Sequence, residues 1–472
     1  MFTSITDLFK LGIGPSSSHT NGPMIAAKDF VTKIKAINPT FLKGKRLNLR
    51  CRLTGSLAYT GIGHGTDTAI LLGLNGYSPA QAAKLSFNGN LEKAIDSFQQ
   101  KNFIEIVQGV CVNFGPASGI EFDMKLVYPE HPNGFSFTLS SAGEKERVIL
   151  SETYFSVGGG FILTKDELAD KSKRQKEKKG RRKVPFGHSQ KHTYSNMSEL
   201  LSIAEKEDKS FAVIQMENEC MSSAESVTEA NICTVKEAMF ASIERGLSAD
   251  GQLPGGLLLE RRANKLYSDL SANPSNASVN DWLCAYAMAV NEENAAGQAV
   301  VTAPTNGAAG VVPALLYYLT KHEEISESKS REFLLTATVI GAIIKDTGSI
   351  SGAEVGCQGE IGSASAMAAA ACCAVMGGTI WQIENAAEIA LEHHLGMTCD
   401  PVKGLVQVPC IERNGFGAIK AYAAASLAMH GNGSHLITLD NCIAAMKQTG
   451  EAMSEEFKET SQGGLAVRWV DC

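Results

Sequence analysis

The period of the hydrophobic pattern changes once along this chain, and that change limits the fold more than any single motif does. From Arg46 to Thr54 the residues Leu47, Leu49, Cys51 and Leu53 alternate with polar neighbours, and 103–114, 120–128, 135–140 and 147–155 behave similarly. A two-residue period puts one face of a strand in a core and the other toward water. His131-Pro132-Asn133-Gly134 supplies a turn between two of these strands, and helices are expected over 24–37 and 79–85. The first region is therefore expected to be an α+β domain, an antiparallel or mixed sheet carrying helices.

Beyond His188 the alternation stops and Ala-rich helical spacing replaces it, over 224–247, 279–295, 311–320, 330–344, 361–376, 380–393, 418–429 and 440–453. The second region is expected to be all-helical. Between the two, residues 171–183 hold nine basic side chains and one acidic in thirteen, without apolar periodicity, which reads as a solvated linker. The expected division is 1–165, a linker over 166–190, and 191–472. No solenoid-length repeat or sustained heptad is present.

With 43 basic and 50 acidic residues the net charge is −7, the wrong sign for a surface that tracks nucleic acid or anionic lipid. The first ten residues lack a basic stretch followed by an apolar run, so the cytoplasm is the expected compartment. The run 361–378 is dominated by Ala, Ser and Gly, too weakly apolar to drive membrane insertion, and is expected to be a buried, closely packed helix. Twelve cysteines are scattered rather than framework-spaced, which argues against disulfides and leaves a metal-binding subset as the sharper reading.

Four segments could carry chemistry. Gly14 to Pro23 is a hydroxyl-rich loop (Ser16, Ser17, Ser18, His19, Thr20, Asn21) running into a helix, suited to an anion and equally to plain N-capping. Gly63-His64-Gly65 exposes an imidazole between glycines, yet lacks the order of a dinucleotide fingerprint; a structural histidine is the alternative. Thr305, Asn306 and Gly307 stand ahead of an apolar helical run, where they could cap it or offer amides to a carboxylate. Cys357, Cys399 and Cys410 each lie at a Gly- or Pro-flanked, loop-like position, which suggests exposed thiolate ligands, whereas Cys372 and Cys373 sit inside an Ala-rich helix as core residues. With no C-x2-C pair, zinc ribbons lack support; three thiolates would leave one iron of a [4Fe–4S] cluster without an internal ligand. The tail 463–472 ends in Cys472, and its Val467, Trp469 and Val470 favour docking over fraying.

Taken as an ordered set, these segments and the terminal cysteine resemble the bacterial iron–sulfur-dependent L-serine dehydratases, in the form with both domains in one chain. The resemblance covers nearly the whole sequence. It implies a [4Fe–4S] cluster on Cys357, Cys399 and Cys410, with Cys472 folding back onto the fourth iron until substrate displaces it. It implies conversion of L-serine to pyruvate and ammonia, with the open iron as Lewis acid, and a homodimer with no nucleic-acid or membrane partner. The first domain would resemble an allosteric substrate-binding domain found in some phosphoglycerate dehydrogenases. Ser16, Ser17, Ser18, Thr305, Asn306 and Gly307 would bind substrate, and His64 or His19 would act as base, with Lys345 and Asp346 as lesser candidates. The basic stretch 171–183 departs from the family pattern. Another cluster-dependent lyase acting on cysteine or a hydroxy acid, and a non-catalytic amino-acid or redox sensor, are the competing readings.

Overall fold

The computed structural model describes residues 2–107, 109–141, 147–170 and 190–468. The alternating segment is strand Leu47–Thr54, the centre of a seven-stranded mixed sheet. It runs parallel to Val110–Asn113 and Ile120–Asp123, and antiparallel to Gly134–Ser141. Its inward residues Leu47, Leu49, Cys51 and Leu53 are all buried, as the two-residue period requires. Helix Gly22–Lys35 covers this face, where Phe30 stacks on Phe137 at 5.3 Å between ring centres. The α+β reading of this region holds.

Two strand boundaries differ from expectation. Residues 103–114 form two strands, Phe103–Val107 and Val110–Asn113, which pair with each other antiparallel. The strand expected over 120–128 ends at Asp123, whose Oδ1 accepts from the amides of Lys125 and Leu126 at 3.0 and 3.1 Å and turns the chain.

Downstream the fold is helical, as expected. Helix Ser363–Val375 is buried along its whole length and packs against Glu327–Thr347, Ile380–Glu392 and Cys410–His430. Its small side chains permit that many close neighbours, so Cys372 and Cys373 are core residues. Helix Cys410–His430 begins eight residues before the expected 418, because Gly415 and Gly417 do not break it. Both glycines sit at close crossings: a Cβ on Gly415 would lie 3.0 Å from Cys284 Sγ, and one on Gly417 would lie 2.9 Å from Ile361. Packing here outweighs intrinsic propensity. Helices Met197–Glu207, Phe211–Glu219 and Ala263–Ala272 were not anticipated. No helix among the described residues is long and apolar enough to cross a membrane.

The two regions are sewn together by the start of the chain. Strand Leu11–Ile13 pairs antiparallel with Ala299–Val301, and the short helix Ile5–Leu8 contributes Ile5 and Leu8 to the helical core. This ladder sets the hydroxyl-rich loop 14–21 directly against residues 302–307. The basic stretch 171–183 lies outside the described residues.

Candidate active site

Three separate segments bring the predicted cysteines together. Cys357 follows the short helix Gly352–Val355, Cys399 lies in a loop, and Cys410 opens the long helix that ends at His430. All three line one pocket and are buried, not exposed as the loop-like sequence context suggested. The sulfurs of Cys357 and Cys399 stand 3.8 and 3.9 Å from one Glu360 oxygen. The Cys399 thiol is pushed well up by its contact with Cys357 and by burial, and that of Cys410 by burial and then by Cys357. Bare thiols so placed stay protonated; a bound metal cation would reverse that balance. Every cysteine among the described residues is free. A buried, convergent, unbridged set of three thiols from three segments fits an iron–sulfur cluster with three protein ligands.

Arg413 stands beside the thiols and is the only cation lining the pocket among the described residues. Burial works against its charge, but Asp400 and negative charge on Cys357, Cys410 and Cys399, once they are ionised as metal ligands, outweigh burial and hold it charged. Its guanidinium donates to the Thr398 carbonyl at 2.7 Å and meets Asp400 at 3.5 Å.

Facing the thiols, the sheet domain presents His64 and His19. The glycines around His64 have separate jobs. A Cβ on Gly63 would lie 2.6 Å from the Gly404 carbonyl, so this turn touches the helical domain through bare backbone; Gly65 adopts φ +60° as it caps helix Thr66–Leu74. His64 is 1% exposed and lines the pocket, and neither of its ring nitrogens has a hydrogen-bond partner among the described residues. Burial depresses its pKa to about 3, keeping the ring neutral. His19 meets it edge to face, with ring centres 4.6 Å apart. The nitrogens of His19 are engaged, Nδ1 with Ser18 Oγ and Nε2 with Ser56 Oγ, both at 2.9 Å. Burial and then His64 hold its pKa well below the ordinary value.

The remaining predicted residues divide. Ser16 and Gly307 line the pocket, and Thr305 meets Glu360. Ser17 and Ser18 hold the wall instead: Ser17 Oγ accepts from the Asn306 amide at 3.5 Å, and Ser18 engages His19. Asn306 is turned away, accepting from Thr302 Oγ1 at 2.9 Å and donating to the Ile13 carbonyl and Asn294 Oδ1, each at 3.0 Å. Lys345 and Asp346 do not line the pocket; Lys345 Nζ sits 4.1 Å from the Phe161 ring centre. Cys472 lies outside the described residues.

Three pocket residues escaped the sequence reading: Glu360, Arg413 and Glu459. Two had a signal, since Cys357 to Glu360 and Cys410 to Arg413 share an i,i+3 spacing that puts both side chains on one helical face. Glu459 had none, because only the tertiary pairing of the chain end with Cys399 brings it here.

Fold and pocket together define a two-domain protein whose enclosed, thiol-lined site lies at the seam, with histidines from the sheet domain facing cysteines from the helical one. Residues 4–167 match the family model described as serine dehydratase beta chain, and residues 195–466 match that described as serine dehydratase alpha chain. The chain is 43% identical to the L-serine dehydratase of Streptomyces coelicolor over 475 residues, covering all of both chains. It is 41% identical to the L-serine dehydratase TdcG of Escherichia coli, covering 99% of each, and 39% identical to the L-serine dehydratase of Helicobacter pylori, covering 98% of each. The chain belongs to the serine dehydratase family and carries the alpha- and beta-chain regions in one polypeptide.

Proposed function

We propose that the protein is an L-serine dehydratase that converts L-serine to pyruvate and ammonia, with a [4Fe–4S] cluster held by Cys357, Cys399 and Cys410. The observation that carries this reading is the convergence of those three thiols on the pocket into which an unpartnered, neutral His64 also faces. When bound, the cluster supplies a Lewis acid for departure of the serine hydroxyl. Arg413 receives the substrate carboxylate, since it is the one cation lining the pocket among the described residues. The carboxyl of Glu360, which lines the same pocket, faces the ammonium group. His64 takes the Cα proton, being neutral and free to accept, while His19 is committed to Ser18 and Ser56. Loss of that proton and of the hydroxyl leaves an enamine, which tautomerises to an imine and hydrolyses to pyruvate and ammonia. Ser16 and Gly307 close the pocket wall, and Cys472 is the displaceable fourth ligand.

We also read the protein as a cytoplasmic homodimer. Free cysteines suit a reducing compartment, and Trp381, Leu427 and Leu436 offer exposed apolar surface on the helical domain. Sedimentation at micromolar concentration tests the dimer.

The deciding experiment is pyruvate formation from L-serine by anaerobically purified protein, with iron and sulfide counted and a matched aliquot exposed to air. Turnover that falls with cluster loss supports the reading. Equal turnover in protein without iron overturns it, and a loaded but inactive protein points to another substrate or to a sensor.

A further inference from the structure

Glu459 belongs to the C-terminal segment that runs beside the Cys399 loop, and its backbone is left-handed, with φ +56°. Residues with a Cβ adopt that conformation reluctantly. Neighbours hold it there. The Glu459 amide donates to the Cys399 carbonyl at 2.7 Å, and the Cys399 amide donates to the Phe457 carbonyl at 2.8 Å. Ser56 Oγ donates to the Glu459 carbonyl at 2.5 Å, and Ser461 Oγ to that of Pro401 at 2.7 Å. A segment pinned from both domains in an unfavourable conformation is the pattern seen where a side chain is being aimed.

What is aimed here is a carboxyl group whose side chain is 7% exposed, with one oxygen 3.3 Å from His19 Nδ1 and 4.0 Å from His64 Nδ1. The two rings already touch edge to face. The His64 ring, neither of whose nitrogens has a hydrogen-bond partner among the described residues, is thus placed by ring contact and by this carboxyl. Distances of this kind commonly shorten when substrate closes a site.

We propose that Glu459 is the positioning residue of the histidine pair: its carboxyl fixes His19 and draws in His64 Nδ1, leaving His64 Nε2 for the substrate's Cα–H. The inference rests on the reading of His64 as the base. The C-terminal segment is then part of the working site, and removing only residues 469–472 leaves that part in place.

The test uses full-length, cluster-loaded enzyme with Glu459→Gln, Glu459→Asp and Glu459→Gly, beside His64→Ala. Misplacing a catalytic group by about 1 Å costs about 100-fold. The Gln and Gly variants should therefore lose about that much in kcat, with KM for L-serine within about threefold and the cluster absorption unchanged; Asp should recover part of the loss. With α-deuterated L-serine the isotope effect on kcat/KM should rise in the Gln variant, because proton removal becomes the slow step. A purely structural role would not move that isotope effect. Glycine relieves the left-handed backbone, so full turnover in Glu459→Gly would show that only the backbone mattered and overturn the proposal. If His64→Ala is inactive while Glu459→Gln turns over normally with an unchanged isotope effect, the positioning role alone fails. If His64→Ala is fully active, the reading of His64 as base fails as well.

Discussion

Replacing Asp400 by Ala should loosen the C-terminal segment by a calculable amount. Asp400 is almost fully buried, and its two oxygens serve different neighbours. Oδ2 accepts from the Leu465 amide at 2.6 Å; Oδ1 accepts from Thr398 Oγ1 at 2.9 Å and meets Arg413 at 3.5 Å. A hydrogen bond to a charged group contributes about 2 kcal/mol net. The Leu465 bond is the one among these that ties down the chain end, so local opening of residues 459–468 should become easier by that amount. At 1.4 kcal/mol per decade this is about a 30-fold gain in amide exchange at Leu465. Hydrogen exchange read by mass spectrometry on a peptide covering 459–468 measures it directly. Peptides from helix Ser363–Val375, remote from Asp400 along the chain and buried among several other helices, should not change. Exchange at Leu465 within threefold of the parent would refute the reasoning, for it would mean that other contacts hold this segment and Asp400 does not.

Three further outcomes are expected. Cys357→Ala, Cys399→Ala and Cys410→Ala should each lower iron and sulfide per chain, whereas Cys372→Ala, a helix-core change, should leave both unchanged; equal iron content in all four would remove the thiol assignment. His394 is buried with Nδ1 on the Ala390 carbonyl, and burial depresses its pKa to about 4. Because the unfolded chain takes up that proton below about pH 6.5 while the folded chain does not, stability falls on acidification, by about 2 kcal/mol at pH 5. His394→Gln should flatten the urea-midpoint profile between pH 7 and 5, and an unaltered slope would show that His394 is not the group responsible. Gly63→Ala puts a methyl group 2.6 Å from the Gly404 carbonyl and should cost about 1–3 kcal/mol by pushing the His64 turn off the helical domain. Thermal unfolding and kcat should both fall, and a variant with parental values would show that the turn can shift freely.

Local pattern made much of this fold legible. Alternation at Leu47 to Leu53 identified the central strand, and the small-residue run after Ile361 identified the most buried helix. Pattern failed where tertiary contact decides the outcome. The helix expected from 418 begins at Cys410, because Gly415 and Gly417 sit at close crossings with elements far away in sequence. The site divides along the same line. The cysteines and His64 were marked by chemistry and flanking glycines, while Asn306, a sound capping residue by type, proved to be a tether between strand Leu11–Ile13 and helix Val279–Ala295. Glu459 is 60 residues from Cys399 along the chain and adjacent to it in space, a pairing that no window on the sequence contains.

The seam between the domains explains why so much buried polarity is tolerated at this site. Each unpaired buried amide or hydroxyl costs about 1–3 kcal/mol, and several at this seam escape that cost through a partner in the other region. Asn294 Nδ2 finds its partner on the Pro15 carbonyl at 2.7 Å, and Asn306 Nδ2 on that of Ile13. Thr20 Oγ1 donates to the His64 carbonyl at 2.7 Å, and Thr66 Oγ1 to that of His19 at 2.6 Å, so the two histidine turns also buttress each other. None of the bonds from Asn294 or Asn306 to the first region survives if the regions part, and a seam opened too little to admit water would leave several buried polar groups unpaired at once. The cost of opening is therefore several times that of any one bond. The histidines are held opposite the thiols because the interface that positions them cannot be partly formed without leaving those groups unsatisfied.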